Sequence, residues 1–178
     1  EIFGDTIADF TANGFSGETR QANNIGYTSP TFGGFKLGLE YSTGTETGAD
    51  ATQTNPMNAA VTWSNNAFYV AAGYYDYSLA DGTLNGLGSA MKLSAMGTFG
   101  GFKVVATYED QSGDGNFLAM DTANLAGMFT MGNHQFALTY SMYMADPTGT
   151  STAVDRDCSM MGAGYFYNFS KTNAVKVI

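Results

Sequence analysis

The chain has 178 residues, a length that suits one domain. Apolar residues make up 44% of it and charged residues only 13%, well below the roughly one quarter of an average soluble domain. Even so, no apolar run approaches the roughly 20 residues a membrane helix needs. The net charge of −9 argues against a nucleic-acid partner, which needs clustered Lys and Arg, and the lone Cys158 rules out an internal disulfide framework.

The opening Glu1-Ile2-Phe3-Gly4-Asp5 has no signal-peptide pattern, so the sequence reads as mature protein or as a piece lacking its start. Beyond residue 18 the recurring signal is period-2 alternation, which puts successive side chains on opposite faces of a strand. Ile25 and Tyr27 alternate with Asn24, Gly26 and Thr28. Phe35, Leu37, Leu39 and Tyr41 alternate with Lys36, Gly38, Glu40 and Ser42. The same pattern covers Met57–Ser64, Met91–Met96, Phe102–Glu109, Gln135–Met142 and Met160–Phe169. Two further runs, Phe68–Tyr77 and Met120–Met131, read as strands whose faces the sequence leaves ambiguous. A last strand begins at Asn173, making nine full strands and the start of a tenth.

The links between these strands alternate short and long. Ser29–Gly34, Asn65–Asn66, Phe99–Gly101, Gly132–Asn133 and Ser170–Asn173 are short and suit tight hairpins. Thr43–Pro56, Ser78–Gly88, Asp110–Ala119 and Ala145–Asp157 are long, polar and acidic. Tight turns on one rim and long loops on the other predict an all-β, antiparallel, up-and-down meander of a transmembrane β-barrel. A soluble sandwich has a weaker reason to sort its loops by length. It would also carry more charge on its polar face, where Gly, Ala, Ser, Thr and Asn dominate here. Aromatic residues gather near strand ends, as in the interfacial girdles of membrane barrels.

No catalytic constellation is present, so the reading is not an enzyme and no cofactor or metal is expected. The single histidine, His134, falls in a turn or at a strand start and reads as a lone solvated side chain. Cys158, beside Asp155, Arg156 and Asp157, reads as inert. Asp110-Gln111-Ser112-Gly113-Asp114-Gly115 has part of a calcium-loop pattern but lacks the spacing to a terminal Glu, so a plain acidic loop is expected.

The run Arg20-Gln-Ala-Asn-Asn-Ile-Gly-Tyr-Thr-Ser-Pro-Thr-Phe-Gly-Gly-Phe-Lys-Leu-Gly-Leu-Glu-Tyr41 resembles the segment after the constriction loop in the general porins of Gram-negative bacteria. There an arginine precedes Asn-x-Ile/Val-x-Tyr, Ser-Pro-x-Phe-x-Gly-Phe and an alternating strand. Tyr165-Phe-Tyr-Asn-Phe-Ser-Lys-Thr172 resembles their penultimate hairpin, with Phe169 for the usual Leu and no Arg between Lys171 and Thr172. Glu1-Ile-Phe-Gly-Asp-Thr6 is similar to their acidic constriction loop. The resemblance implies a sixteen-stranded barrel in a homotrimer of the outer membrane, in contact with lipid and lipopolysaccharide. The chain would be a single barrel domain: residues 1–18 a constriction-loop remnant and 20–178 a meander covering about strands six to fifteen. A complete ten-stranded barrel is the rival.

The implied function is passive diffusion of small hydrophilic solutes and ions, controlled by pore size and the field across a constriction. By the resemblance, Glu1, Asp5 and Asp9 lie on the loop folded into the pore and Arg20 on the facing wall. Asn24 shares the parity of Arg20, and Lys36, Glu40, Lys92, Lys103 and Glu109 fall on the polar face as candidate pore-lining residues. Acidic outer loops (Glu46, Asp50, Asp81, Asp110, Asp114, Asp146, Asp155, Asp157) predict weak cation selectivity. Two other readings stand beside this one. A substrate-specific channel or surface receptor on the same barrel would place Tyr69, Tyr75 and Phe166 inside as an aromatic track. A structural surface-layer β protein would come off the cell without detergent.

Overall fold

The structure is a computed structural model that describes residues 24–42, 57–76, 86–114, 119–146, 157–170 and 174–177. The constriction-loop segment 1–18, Arg20, and much of the long links lie outside the described residues. Among the described residues ten strands form one antiparallel sheet in which each pairs with its neighbour in sequence. They are β1 (Asn24–Thr28), β2 (Phe35–Ser42), β3 (Met57–Ser64), β4 (Phe68–Asp76), β5 (Gly86–Phe99), β6 (Phe102–Asp114), β7 (Ala119–Met131), β8 (His134–Asp146), β9 (Cys158–Asn168) and β10 (Ala174–Val177). Among the described residues β1 and β10 do not pair with one another.

The short links turn as their residues dictate. Gly100 and Gly132 take φ of 57° and 59° in the two hairpins that join β5 to β6 and β7 to β8. Asn65 closes another, its Oδ1 accepting from the amides of Ala67 (2.8 Å) and Phe68 (2.7 Å).

The opposite rim corrects the sequence reading. Strand pairing runs on to Gly86–Asp114 and Ala119–Asp146, so Asp110, Asp114 and Asp146 belong to strands rather than loops. Polar residues do not interrupt a backbone ladder whose hydrogen bonds are independent of side-chain type. That also disposes of the calcium-loop pattern, since Asp110–Asp114 is extended.

Register settles the two ambiguous strands. Val70 stands opposite Trp63 and Ala95, and Tyr74 opposite Ala59 and Met91, so Phe68, Val70, Ala72 and Tyr74 share the apolar face. In β7, Leu125 opposes Ala106 and Tyr140, which puts Ala123, Leu125, Gly127 and Phe129 on that face too. Ala72, Ala123 and Gly127, three of these eight positions, had blurred the alternation.

The two faces differ in enclosure, and in the reverse of the usual sense. The side chains most withdrawn from solvent are mainly polar: Gln111 (3%), Ser141 (3%), Glu109 (6%) and Thr122 (6%), with Ala90 and Ala137 beside them. All six lie on the polar face. The apolar face exposes Leu125, Leu138, Phe102, Phe136 and Met161 among many others. A sheet curved toward its polar face produces this asymmetry, because side chains crowd on the inside of a curve and splay on the outside.

Candidate functional site: the polar face of the sheet

Cross-strand register arranges the polar face in rows. One runs Gly38–Ala60–Gly73–Lys92–Glu109–Thr122–Tyr143–Cys158. The next, toward the short turns, runs Lys36–Thr62–Ala71–Ser94–Thr107–Asn124–Ser141–Met160. Charge is concentrated in the first of these. Lys92 Nζ lies 3.4 Å from Glu109 Oε2, and Gln111 Nε2 donates to Glu109 Oε1 at 3.1 Å. The amide thus has its donor fixed by the carboxylate, while its buried Oε1 has no hydrogen-bond partner among the described residues. In the second row, Asn124 Nδ2 donates to Thr107 Oγ1 at 3.1 Å. Near the long-link end of β2 and β3, Asn58 Nδ2 donates to Glu40 Oε2 at 3.2 Å.

The structure therefore brings Lys36, Glu40, Lys92, Lys103 and Glu109 onto one face, as the alternation predicted, and joins two of them in an ion pair. Asn24 lies in β1 opposite Ser42. Glu1, Asp5, Asp9 and Arg20 lie outside the described residues. Sequence reasoning did not find Gln111 or Asn58. Gln111 has the parity of Glu109 two residues before it, but lies in a run from Asp110 that the sequence reads as a loop. Asn58 stands directly across from Glu40, which the register shows and parity alone does not. Tyr69, Tyr75 and Phe166 also fall on the polar face, opposite Met96, Ala90 and Gln135 respectively.

The apolar face carries a different chemistry. One cross-strand row near the short turns is aromatic at five successive positions: Phe99, Phe102, Phe129, Phe136 and Tyr165. Phe102 and Phe129 stack at 4.4 Å, and Phe136 tilts onto Tyr165 at 5.2 Å. Phe68 and Phe99 meet edge to face at 5.4 Å over Gly97, where a Cβ would come within 2.7 Å of the Phe99 ring. Six positions along β2, β4 and β6, roughly 20 Å up the strand, the same face bears Tyr41, Tyr74 and Tyr108. Two separated aromatic belts with aliphatic side chains between them match the interfaces and core of a bilayer.

His134 belongs to the lower belt. It is not the lone solvated histidine the sequence suggested: it is half-buried, with Nδ1 2.8 Å from the Tyr165 hydroxyl and its ring edge-on to Tyr167 at 5.0 Å. It starts β8 on the apolar face, and its neighbours come from β9, distant in sequence. Cys158 is exposed at the start of β9, opposite Tyr143. Among the described residues no group of three or more His, Cys, Asp or Glu is placed to hold a metal ion.

An antiparallel meander with a polar enclosed face, an exposed apolar face and two aromatic belts is the wall of a transmembrane β-barrel. The sequence matches the family model of the Gram-negative porins over residues 2–177, and the chain belongs to that family. Its fold is similar to that of the anion-selective porin from Comamonas acidovorans, with a TM-score of 0.68 and 22% identity over 88% of this chain and 47% of that one. It is also similar to a porin refined at 1.8 Å (TM-score 0.67, 18% identity, 86% of this chain and 53% of that one). A triple mutant of the Rhodopseudomonas blastica porin gives a TM-score of 0.61 at 21% identity, over 86% and 47% of the two chains. This chain thus spans about half the length of the porins it resembles. No curated protein matches the sequence. Porins are channels, and this chain is no enzyme.

Proposed function

We propose that the protein is a general diffusion porin of the bacterial outer membrane, passing small hydrophilic solutes and ions. The observation that carries this reading is the reversal of the two faces: the enclosed face holds Glu109, Gln111, Thr122 and Ser141, while the exposed face holds the large apolar side chains. Water belongs on the first and lipid on the second. In the whole protein the chain forms part of a larger barrel, assembled as a homotrimer among outer-membrane lipid and lipopolysaccharide.

Glu1, Asp5 and Asp9 form the acidic side of the constriction and Arg20 its basic side, with residues 1–18 folded into the pore. Asn24, Lys36, Glu40, Lys92, Lys103 and Glu109 line the wall. Selectivity is weakly cationic and set by the acidic outer loops, because the wall itself mixes Lys and Glu. The test is conductance of the complete natural porin in planar bilayers under a salt gradient. Current steps in groups of three with a cation-directed reversal potential support the reading, and Arg20→Glu should strengthen that preference. Folded protein that never conducts would refute it.

A specific channel on the same barrel is favoured by one observation, the presence of Tyr69, Tyr75 and Phe166 on the polar face.

A further inference from the structure

On the polar face of β1–β4 lies a hollow of about 330 Å³. Gly26, Gly38 and Ala60 form its floor, and Glu40, Asn58 and Tyr75 stand around it. The floor is flat because three neighbouring strands present a hydrogen or a methyl group. Tyr75 leans back along its own strand over Gly73, where a Cβ would come within 3.3 Å of the ring. A side chain at position 73 would push the ring away. The hydrogen bond from Asn58 Nδ2 to Glu40 Oε2 fixes amide and carboxylate side by side.

We infer that this hollow is a subsite for a saccharide, with one pyranose ring lying on the glycine floor beside Tyr75. The inference rests on the reading of this face as the pore wall. Three features select the ligand. An aromatic ring offers an apolar platform to the C–H face of a sugar. A carboxylate next to an amide supplies both acceptors and a donor, which suits vicinal hydroxyls that donate and accept at once; an organic cation would use only the acceptors. The volume lies at the small end of ligand pockets, which run from about 300 Å³ upward. A site this open holds its ligand briefly, as a solute in transit requires.

The test uses the complete natural porin in planar bilayers, with glucose and maltotriose as probes and spermidine as a cationic comparison. Maltotriose should interrupt the open-channel current. Tyr75→Ala should raise the half-blocking concentration about tenfold, in keeping with the loss of one ring platform. Tyr75→Phe should keep most of the effect. Asn58→Ala should weaken it separately, and Tyr69→Ala, on the same face outside the hollow, should not. Saturation-transfer NMR on the detergent-solubilised protein reads the same binding without any current, so a channel that fails to conduct refutes the pore and still tests the site. Absence of both interruption and saturation transfer overturns the inference. So does equal blockade of wild type and Tyr75→Ala, or a Tyr75-dependent block by spermidine with none by sugar.

Discussion

Lys92 and Glu109 stand directly opposite one another across β5 and β6, and their side chains meet at 3.4 Å on the enclosed face. The carboxylate is the more withdrawn partner, at 8% side-chain exposure against 27% for the lysine. Glu109 also accepts from Gln111, so its negative charge is held by neighbours on two sides. Paired in this way, the two residues add little net charge to the wall, but each one alone would add a full charge.

Lys92→Met should therefore act on both selectivity and stability. It leaves Glu109 without its cation in an enclosed setting, at a cost of about 2 kcal/mol, below the figure for a fully buried pair because Lys92 is partly exposed. The reversal potential should move toward cations. Glu109→Gln should move it toward anions, and the double variant should return near the wild type. The checks are urea midpoints of the detergent-folded protein and reversal potentials under a salt gradient. An unchanged potential in both single variants would remove the pair from the ion path.

The hairpin between β1 and β2 supplies a second contrast. Gly33 and Gly34 both have positive φ, 57° and 86°. A Cβ on Gly33 would meet open space, whereas one on Gly34 would come within 2.6 Å of the Ser64 carbonyl oxygen. Gly34 also accepts from the Ser64 amide at 3.0 Å, so the turn cannot simply move away. Gly34→Ala should destabilise by about 2 kcal/mol or more, from strain and lost pairing together. Gly33→Asn should cost well under half of that, because Asn tolerates this region of φ. Folding yield into detergent micelles distinguishes the two.

Much of the fold was legible because a strand states its two faces in every second residue. Phe35 to Ser42 and Phe102 to Glu109 could be assigned from alternation alone. Strands β4 and β7 could not: Ala72, Ala123 and Gly127 are small residues on the apolar face, and only their partners across the ladder identify it. The strand ends near the long links were missed for a similar reason, since Gln111-Ser112-Gly113-Asp114 looks like a loop but pairs like a strand. The charged residues of the polar face were legible by parity; of their partners, Gln111 shares that parity in a stretch that reads as a loop, and Asn58 needs the register. Gln111 reaches Glu109 two residues away on its own face, whereas Asn58 reaches Glu40 across β2 and β3.

At the long-link end of the apolar face, Asp110 and Asp121 oppose one another directly across β6 and β7. Like charges at such positions repel. Asp121 has the better setting, since the Tyr108 hydroxyl donates to its Oδ2 at 2.9 Å. Asp110→Asn should thus stabilise the sheet by about 0.5 kcal/mol at low ionic strength, with the gain shrinking as salt rises. Tyr108→Phe should cost about 1 kcal/mol by removing the donor. Chemical denaturation at two salt concentrations checks both; a gain from Asp110→Asn that is independent of salt would assign it to something other than repulsion.

Leu138 and Thr139 are adjacent in β8 and face opposite ways. Leu138 is 55% exposed between Gly127 and Ala163, and Thr139 stands between Ala126 and Gly162 on the enclosed face. In a soluble sandwich Leu138 would be core and Thr139 wet. In a barrel wall Leu138 touches lipid and Thr139 the aqueous pore. Nitroxide labels at Leu138→Cys and Thr139→Cys, each in a Cys158→Ser background, separate the two cases in reconstituted vesicles. The label at 138 should be broadened by oxygen, which concentrates in acyl chains, and shielded from a water-soluble nickel chelate. The label at 139 should respond the other way. Lysine at the same two positions should follow suit, costing about 2–4 kcal/mol at 138 if that site lies near the bilayer midplane, and much less at 139. A label at 138 shielded from both agents would mean that the apolar face is covered by protein, and the assignment of lipid to that face would fall with it.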